Sequence, residues 1–259
     1  MSRRRAVIAQ KGGVAKTTTV ANLAAAWGQR GRRVLAIDSD PQFDLTRAFG
    51  QAPSSAPATL LEVIVGESTI DRAALADVVP GVDLVAGHRD LKRLELTLVS
   101  ELKREEYLAE ALRSVAGYDE IIIDCPPNLG LLTVNALFAA PEVVVPVSMR
   151  DAAALQSAGE VAQTVAMLAE RGVDVRISVV VRTMVDRRRL AYQAIEETLP
   201  SLHLPIARTE IPMLAAFDNS VVLGQPLVAA APDSEGACAY RDLADELAAA
   251  PARRLAAVS

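Results

Sequence analysis

Cysteine, histidine and aromatic residues are scarce in this sequence of 259 residues. The 2 cysteines, Cys125 and Cys238, argue against a disulfide framework and against a zinc site. The 2 histidines, His88 and His203, stand apart from any ligand-like cluster. Aromatic residues make up 3% of the chain and hydrophobic residues 51%, so alanine, valine and leucine must form most of the core. This length suffices for one large α/β domain.

Long apolar runs and a positive net charge are missing as well. No stretch approaches the roughly 20 uninterrupted apolar residues that a membrane-spanning helix needs. The first apolar run, residues 6–9, is too short for a secretory signal. The formal net charge is −5, so any nucleic-acid site must be a local patch rather than a property of the whole chain. We therefore expect a cytoplasmic protein without a membrane contact.

Lysine is rare, with 4 lysines among 27 cationic residues. Lys11 and Lys16 both fall in the short stretch AQKGGVAKTTT, residues 9–19. This stretch is similar to the phosphate-binding loop G-x-x-x-x-G-K-[ST], but Gln10 and Ala15 stand at the two glycine positions. The pattern alone therefore leaves two interpretations open, a nucleotide site and a tight turn between a strand and a helix.

The place of this loop in the chain favours phosphate binding. A buried-strand pattern, RRAVIAQ, precedes it, and apolar residues at helical spacing follow it. In an open α/β sheet, ligands bind at the carboxyl ends of the strands, and a helix N-terminus offers free N–H groups to a phosphate. Lys16 would reach the β- and γ-phosphates, and the Thr17 hydroxyl would ligate Mg²⁺.

Strand and helix patterns alternate along the rest of the chain. Further strands are predicted at RRVLAID, GVDLVAG, DEIIID, PEVVVPV and VRISVVV, and long helices at residues 102–116 and 152–171. This alternation predicts an α/β fold, a mostly parallel twisted sheet with helices on both faces. Neither a repeat nor a domain boundary is visible, so residues 1–259 are expected to form a single domain. Few residues precede the loop, and a separate N-terminal DNA-binding module is not expected.

Three carboxylates come at the ends of predicted strands. Asp38 and Asp40 lie in AIDSDPQ, and Asp124 lies in IIIDCPP. Each one alone could be an ordinary turn or cap residue. Together, on the same edge of the sheet as a Lys-Thr loop, they predict a Mg²⁺ ion and a polarised water.

The segments KGGVAKTT, DSDPQ and IIIDCPP, in this order and spacing, resemble the ParA/Soj group of the ParA/MinD superfamily of deviant Walker ATPases. That group has an extra lysine at the start of its loop, which Lys11 matches, and Gln10 is usual in it. Ala15 replaces the more frequent glycine, which would cost about 1 kcal/mol if the position needs a positive φ. The resemblance continues through VVRTMVD, TEIPMLAAFDNSVVLGQPL and SEGACAYRDLADEL. It implies one P-loop NTPase domain with ATP and Mg²⁺ as cofactors.

This resemblance implies a homodimer in which two subunits enclose two ATP molecules. Met184 and Pro212 would lie near the base, and Lys11 would reach across to the partner's ATP. The loop residues expected to bind the nucleotide are Lys11, Gly12, Gly13, Val14, Ala15, Lys16, Thr17 and Thr18.

The same resemblance implies a role for each carboxylate. Thr17 would ligate Mg²⁺, Asp124 would hold the ion through water, and Asp38 would support the metal shell. Asp40 would orient or activate the attacking water, so Lys11, Lys16 and Asp40 are the candidate catalytic residues. Slow turnover would suit a switch in which ATP holds the dimer and hydrolysis releases it.

Partition of a plasmid or chromosome is the function implied, with non-specific DNA binding, nucleoid association and a ParB-type centromere-binding partner that stimulates hydrolysis. Family members often carry DNA-binding arginines just after the Ile-Pro pair, where this chain has Met213 and Ala216. Another basic patch would then have to bind DNA. The alternative is that the arginines of such a patch only form a solvated helix start. The candidates for this patch are Arg182, Arg187, Arg188, Arg189 and Arg208.

Three alternatives remain at this stage. A MinD-like membrane ATPase would end in a bulky basic amphipathic helix, whereas the tail AAAPARRLAAVS is interrupted by Pro251. A metabolic P-loop ligase would need a small-molecule substrate, and DSDPQ and Lys11 argue against it. An iron–sulfur carrier would need cysteines at a subunit interface, whereas we expect Cys125 and Cys238 to be buried structural thiols.

Overall fold

One eight-stranded sheet forms the centre of the molecule, with strand order β3-β4-β2-β5-β1-β6-β7-β8. The computed structural model describes residues 2–98 and 101–250, without the side chains of residues 95 and 96. The strands are β1 Arg3–Val7, β2 Val34–Asp38, β3 Ala74–Val79, β4 Val82–Val85, β5 Glu120–Asp124, β6 Glu142–Ser148, β7 Arg176–Val185 and β8 Ile206–Pro212. All neighbouring pairs run parallel except β3 and β4. The predicted mostly parallel α/β sheet is confirmed.

Helices cover both faces of this sheet. The longest, α8, lies where residues 152–171 predict a helix. The helices are α1 Lys16–Gln29, α2 Asp44–Ala48, α3 Leu60–Ile64, α4 Ile70–Ala73, α5 Leu91–Thr97, α6 Tyr107–Ala111, α7 Leu131–Ala139, α8 Ala153–Glu170, α9 Leu190–Thr198, α10 Ala215–Val222, α11 Leu227–Ala230 and α12 Glu235–Ala249. Short 3₁₀ turns occupy Pro53–Ser55 and Leu199–Leu202. None of the helices in the described ranges is long and apolar enough to cross a membrane.

Alternate residues of the central strands point into two separate hydrophobic cores, one on each face of the sheet. Ile121 and Ile123 of β5 pack into the core beneath α7 and α8, whereas Ile122 packs into the core beneath α1 and α12. This is the period-2 alternation of a strand that is buried on both faces. The continuous apolar runs in the sequence follow from this two-sided burial.

The prediction of one long helix over residues 102–116 is wrong, because only α6 is helical there. The Asn135 side chain accepts a hydrogen bond from Leu108 N–H at 3.1 Å and donates one to the Arg104 carbonyl at 2.8 Å. These groups would otherwise bond within a continuous helix. Leu102 is 89% exposed, so burial of an apolar side chain does not extend the helix in this direction either.

A buried ionic network lies at the amino ends of the central strands. Arg5 is fully buried, forms an ion pair with Glu120, and places its Nε 3.1 Å from Glu142. Its guanidinium stacks on Trp27 of α1 and donates to the Leu247 carbonyl of α12 at 3.2 Å. These contacts attach α1 and α12 to the sheet, because both helices and the strand carboxylates interact with the same buried cation, Arg5. The polar side chains discussed next lie at the opposite end of the strands.

Candidate nucleotide and magnesium site

The glycine-containing loop runs from the carboxyl end of β1 into α1. A Cβ added at Gly12 or Gly13 would meet no atom within 4 Å, so open space lies beside the loop. Within the described structure no side chain caps the start of α1, and its first N–H groups can therefore bind an anion. Thr183 of β7 donates to the Val14 carbonyl at 3.1 Å and fixes the loop from the other side. Lys16, the first helical residue, is only 8% exposed.

Parallel strand register brings the carboxylates together at this loop. Asp124 is the register partner of Val7 on one side and of Asp38 on the other. Both carboxylates are fully buried. The Thr17 hydroxyl donates to Asp124 Oδ2 at 2.7 Å, which joins the loop to β5. The predicted meeting of the loop with these strand ends therefore occurs.

Asp124 provides a test of whether Mg²⁺ fits here. Its Oδ1 is buried and has no hydrogen-bond partner among the described residues. Burial and the neighbouring Asp38 carboxylate raise the pKa of Asp124 well above its usual range. A hard cation would satisfy this oxygen, and Mg²⁺ combines few protein oxygens with water and phosphate. Over residues 2–98 and 101–250 no group of three His, Cys, Asp or Glu side chains is arranged to hold a metal ion by itself, so a metal here would also need water and phosphate as ligands.

Asp38 is held mainly by α2. Its Oδ2 accepts hydrogen bonds from the Thr46 N–H at 2.8 Å and from the Thr46 hydroxyl at 2.6 Å. A Cβ at Gly87 would lie 2.9 Å from Asp38 Cγ, so the end of β4 leaves no room for a side chain there. Burial raises the pKa of Asp38 to about 7. Its Oδ1 accepts the Asp40 N–H at 3.3 Å, so both carboxylate oxygens are already used, which fits support of a metal shell better than direct ligation.

Asp40 starts a tight turn between β2 and α2. Its Oδ1 accepts the Gln42 N–H at 2.9 Å, and its carbonyl accepts the Phe43 N–H at 2.9 Å. Burial raises the pKa of Asp40, while its hydrogen bond with Gln42 and the Lys16 charge lower it. Its Oδ2 accepts no hydrogen bond from the described residues. That oxygen is the one available to a water molecule.

Lys11 forms an ion pair with Asp151, just before α8. The Lys11 and Asp151 side chains are 31% and 54% exposed, so both groups can reach solvent or another molecule. The Lys11 hydrogen bond lowers the pKa of Asp151. The neighbouring Gln10 N–H donates to the Ser157 hydroxyl of α8 at 2.9 Å. Sequence reasoning missed Asp151 because it belongs to none of the nucleotide-binding motifs.

Met184 lies beside the loop and lines a cleft with it. Its place near the base, which the resemblance implies, stays a prediction. Ser148 of β6 donates to Met184 Sδ at 3.6 Å. Pro212 is the register partner of Val185, which places the two candidate base-side residues on adjacent strands. The cleft is lined by Lys11, Gly13, Val14, Ser148, Arg150, Asp151, Met184 and Arg189.

The five candidate DNA-binding arginines all lie beside acidic side chains. Arg182 contacts Glu196 at 2.7 Å and Glu210 at 2.9 Å. The remaining contacts are Arg187 with Glu210, Arg188 and Arg189 with Asp186, and Arg208 with Glu246. Four carboxylates thus neutralise most of the local positive charge. The assignment of this patch to DNA stays a prediction.

The cysteines differ in their surroundings. Cys125 is buried, and burial raises the pKa of its thiol, as expected for a structural cysteine. The expectation that Cys238 is buried is wrong, because it lies on the exposed side of α12 and contacts Arg241. Residues 251–259, which carry most of the sequence argument against a membrane helix, lie outside the described residues.

Known proteins are similar to this chain in sequence and in structure. Residues 2–179 match a family model described as an AAA domain. The sporulation initiation inhibitor protein Soj of Bacillus subtilis is 37% identical over 94% of this chain and 97% of its own length. The chromosome partitioning protein ParA of Myxococcus xanthus is 33% identical over 92% of this chain and 85% of its own.

A solved structure is similar over nearly the same length. A cobyrinic acid a,c-diamide synthase from Mycobacterium smegmatis with bound ADP and magnesium is 34% identical and superposes with a TM-score of 0.82. The match covers 96% of this chain and 94% of that chain. The ADP and magnesium bound in this relative support ATP and Mg²⁺ as cofactors. The residues that would hold them in this chain stay a prediction.

Ala15 generates a prediction, because its φ of 66° and ψ of 30° are left-handed. This settles the question that the sequence left open, since an L-residue is strained there and glycine is not. Ala15→Gly should raise the free energy of unfolding by up to about 1 kcal/mol, with part of the gain offset by the freedom of glycine in the unfolded chain. Urea denaturation of the nucleotide-free protein measures it.

Ala166→Gly is the matched control, because Ala166 is exposed in the interior of α8. This change should lower the free energy of unfolding by about 1 kcal/mol. If both substitutions destabilise equally, the strain assigned to Ala15 is not present in solution.

Proposed function

The chain belongs to the ParA/MinD-type P-loop ATPases, and we propose that it is an ATP-dependent dimerising switch that partitions a plasmid or chromosome with a ParB-type partner. The observation that carries this proposal is the presence of two lysines with different surroundings in one loop. Lys16 is buried at the start of α1, whereas Lys11 is partly exposed and held by Asp151. The relative from Myxococcus xanthus is named as a chromosome partitioning protein, which supports partition as the cellular process.

Within one subunit, the site would bind ATP with Mg²⁺ at the carboxyl ends of β1 and β5. Lys16 and the uncapped N–H groups of α1 neutralise and position the phosphates. Thr17 and the free Oδ1 of Asp124 are the oxygens that fit the metal, the latter through water. When bound, Mg²⁺ neutralises phosphate charge and orients the phosphate oxygens. Asp40 orients the attacking water with the carboxylate oxygen that the turn leaves free.

Between subunits, Lys11 is the residue that would sense the partner. Its ion pair with Asp151 is exposed to solvent, and exposed pairs of this kind contribute little to stability. The phosphates of a partner's ATP carry more charge than one carboxylate and can compete for the ammonium group. Exchange of Asp151 for phosphate would make dimerisation depend on ATP, and hydrolysis would weaken the contact.

Non-specific DNA binding by the dimer completes the proposal. Arg187, Arg188 and Arg189 are the most exposed cluster among the candidates, with side chains 72%, 91% and 46% exposed. Their carboxylate partners would have to yield to DNA phosphates, which favours weak binding that salt readily disrupts. A partner of ParB type would accelerate hydrolysis and release the dimer from DNA.

A second candidate function is ATP-dependent amide formation. It is favoured by the solved Mycobacterium smegmatis relative, which is named as a diamide synthase. Such an enzyme couples ATP cleavage to a small-molecule acceptor. ATP turnover in a solution that contains only protein, Mg²⁺, ATP and DNA separates the two candidates, because a synthase would stay inactive there.

Asp40→Ala should keep ATP binding and the dimer but reduce hydrolysis at least about 100-fold, because the attacking water loses its base or orienting group. Size-exclusion chromatography with ATP should show a persistent dimer, and phosphate release should be near background. Asp71→Ala, an exposed change at the start of α4, is the control and should turn over as the parent does. A monomeric Asp40→Ala protein, or one with normal turnover, would rule out this role.

Lys11→Gln should bind ADP with unchanged affinity but fail to form the ATP-dependent dimer, because the cross-subunit cation is missing. Calorimetry measures ADP binding, and light scattering with ATP measures the dimer. Lys16→Ala should instead lose nucleotide binding altogether.

Asp151→Asn is the sharper control for Lys11, because it removes the same ion pair and leaves the lysine in place. This variant should still dimerise with ATP. If Asp151→Asn and Lys11→Gln fail alike, the ion pair itself is what matters, and the cross-subunit role is wrong.

Replacement of Arg187, Arg188 and Arg189 together by Glu should abolish the ATP-dependent electrophoretic shift of DNA, since phosphate contacts need local positive charge. ATPase activity should stay near its DNA-free level. The same replacement at three exposed arginines elsewhere is the charge-matched control and should retain the shift; these are Arg72, Arg113 and Arg171.

Arg189 also lines the nucleotide cleft, so ADP affinity must be measured for the triple variant. Retention of the shift by this variant would exclude the patch. Absence of a shift for the parent at low salt would exclude DNA binding and favour another cargo-positioning scheme.

A further inference from the structure

Phe43 has a backbone conformation that its side chain disfavours. Its φ of 47° and ψ of 39° are left-handed, a region in which glycine is the usual residue and a bulky one is an outlier. Phe43 directly precedes α2, and the guanidinium of Arg47 stacks over its ring at 4.4 Å. Strain of this kind persists where the surroundings enforce it, and it often marks functional segments.

The Phe43 ring lines a cleft of about 390 Å³. We call it the Phe43 cleft; it is lined by Phe43, Pro53, Ser54, Ala56, Pro57, Ala58, Thr59, Glu62, His88 and Arg89. Much of this lining is apolar, and its volume is in the range of small ligand pockets. The one carboxylate in it, Glu62, is occupied in accepting the Thr59 N–H and hydroxyl at 2.7 and 2.6 Å. The cleft therefore offers apolar surface and little free negative charge.

Positive charge follows the cleft along the chain, from its lining residue Arg89 to Lys92 and Arg93 in the first turn of α5. Arg89, Lys92 and Arg93 are exposed, and they form no ion pair with any of the described residues. Their spacing of three and four positions places them on one side of the turn that begins α5. The arginines at 187–189 differ, since each contacts a carboxylate. Asp90 lies between Arg89 and Lys92 in the chain and places its carboxylate 3.8 Å from His88 Nδ1. In a chain of net charge −5, three cations in so short a stretch can meet an acidic partner.

We propose that the Phe43 cleft binds an acidic segment of a partner protein, with an apolar side chain against Phe43 and carboxylates on Arg89, Lys92 and Arg93. Clustered cations recognise acidic segments through charge-assisted hydrogen bonds. The concave apolar lining favours a peptide over DNA, because a phosphate backbone has no apolar group to place there.

A peptide bound in the cleft would affect Asp40 through the turn that joins Asp40 to Phe43. Phe43 N–H donates to the Asp40 carbonyl at 2.9 Å, and Gln42 N–H donates to the Asp40 carboxylate at 2.9 Å. A peptide that moves Phe43 therefore moves the groups that orient Asp40. This step rests on the proposed switch function, since it identifies where a partner could stimulate hydrolysis. The peptide contact itself does not depend on it.

The test uses a library of random twelve-residue peptides displayed on phage and the full chain with ATP. Selected sequences should be net acidic with an apolar or aromatic residue, and synthetic versions labelled with fluorescein should bind the parent in anisotropy titrations. A variant with Arg89, Lys92 and Arg93 replaced by Glu should bind at least about tenfold more weakly. Phe43→Gly, which relieves the backbone strain and removes the ring, should also lose about tenfold.

The triple Glu variant at 187–189 is the charge-matched control and should bind the peptides as the parent does. Unchanged ADP affinity of the Phe43-cleft variants shows that they fold. Absence of enrichment, selection of basic peptides, or equal binding to the Arg89, Lys92 and Arg93 variant would overturn the proposal. Loss of DNA binding by that variant without acidic-peptide enrichment would identify a nucleic-acid surface instead. Dimerisation of the parent with ATP tests the switch separately.

Discussion

Asp38 and Asp124 lie opposite each other at the ends of neighbouring parallel strands, and the site depends on this pairing. Two carboxylates buried side by side repel each other, and burial raises the pKa of both. Lys16 lowers the pKa of Asp124, but one ammonium group is shared by the whole site. The same electrostatics that penalise the charged carboxylates therefore favour a further cation. A magnesium ion that binds together with a nucleotide meets that requirement. The phosphates of the nucleotide can interact with Lys16 and with the N–H groups at the start of α1.

Parallel register also explains why so much could be predicted from the sequence. Six strands, the loop and the meeting of Asp38 with Asp124 follow from apolar runs and from the rule that parallel strands end at one edge. The edge strands β3 and β8 were missed because both are partly exposed and lack a continuous apolar run. The length of α6 was missed because the Asn135 side chain, distant in sequence, takes the backbone groups that a longer helix would use.

The ion-pair partners of charged side chains were harder to predict from the sequence than the strands and the loop. Arg187 to Arg189 are conspicuous in the sequence, but the acids beside them come in part from β8. Asp151 likewise reaches Lys11 from the start of α8, far along the chain. A run of like charges shows where cations are, not whether they are free, because their partners depend on strand pairing and helix packing. Arg89, Lys92 and Arg93 are less conspicuous in the sequence yet form no ion pair with the described residues.

The short helix α2 connects these parts. At its start, Phe43 closes the turn that holds the Asp40 carboxylate, and inside it Thr46 gives two hydrogen bonds to Asp38. A displacement of α2 would thus change the surroundings of both carboxylates at once. Such a helix can transmit a signal in either direction. Under the proposed function, a change at bound phosphates would alter the Phe43 cleft, and a partner in that cleft would alter the surroundings of the Asp40 carboxylate. Reciprocity of this kind is required by linkage for any binding that shifts α2.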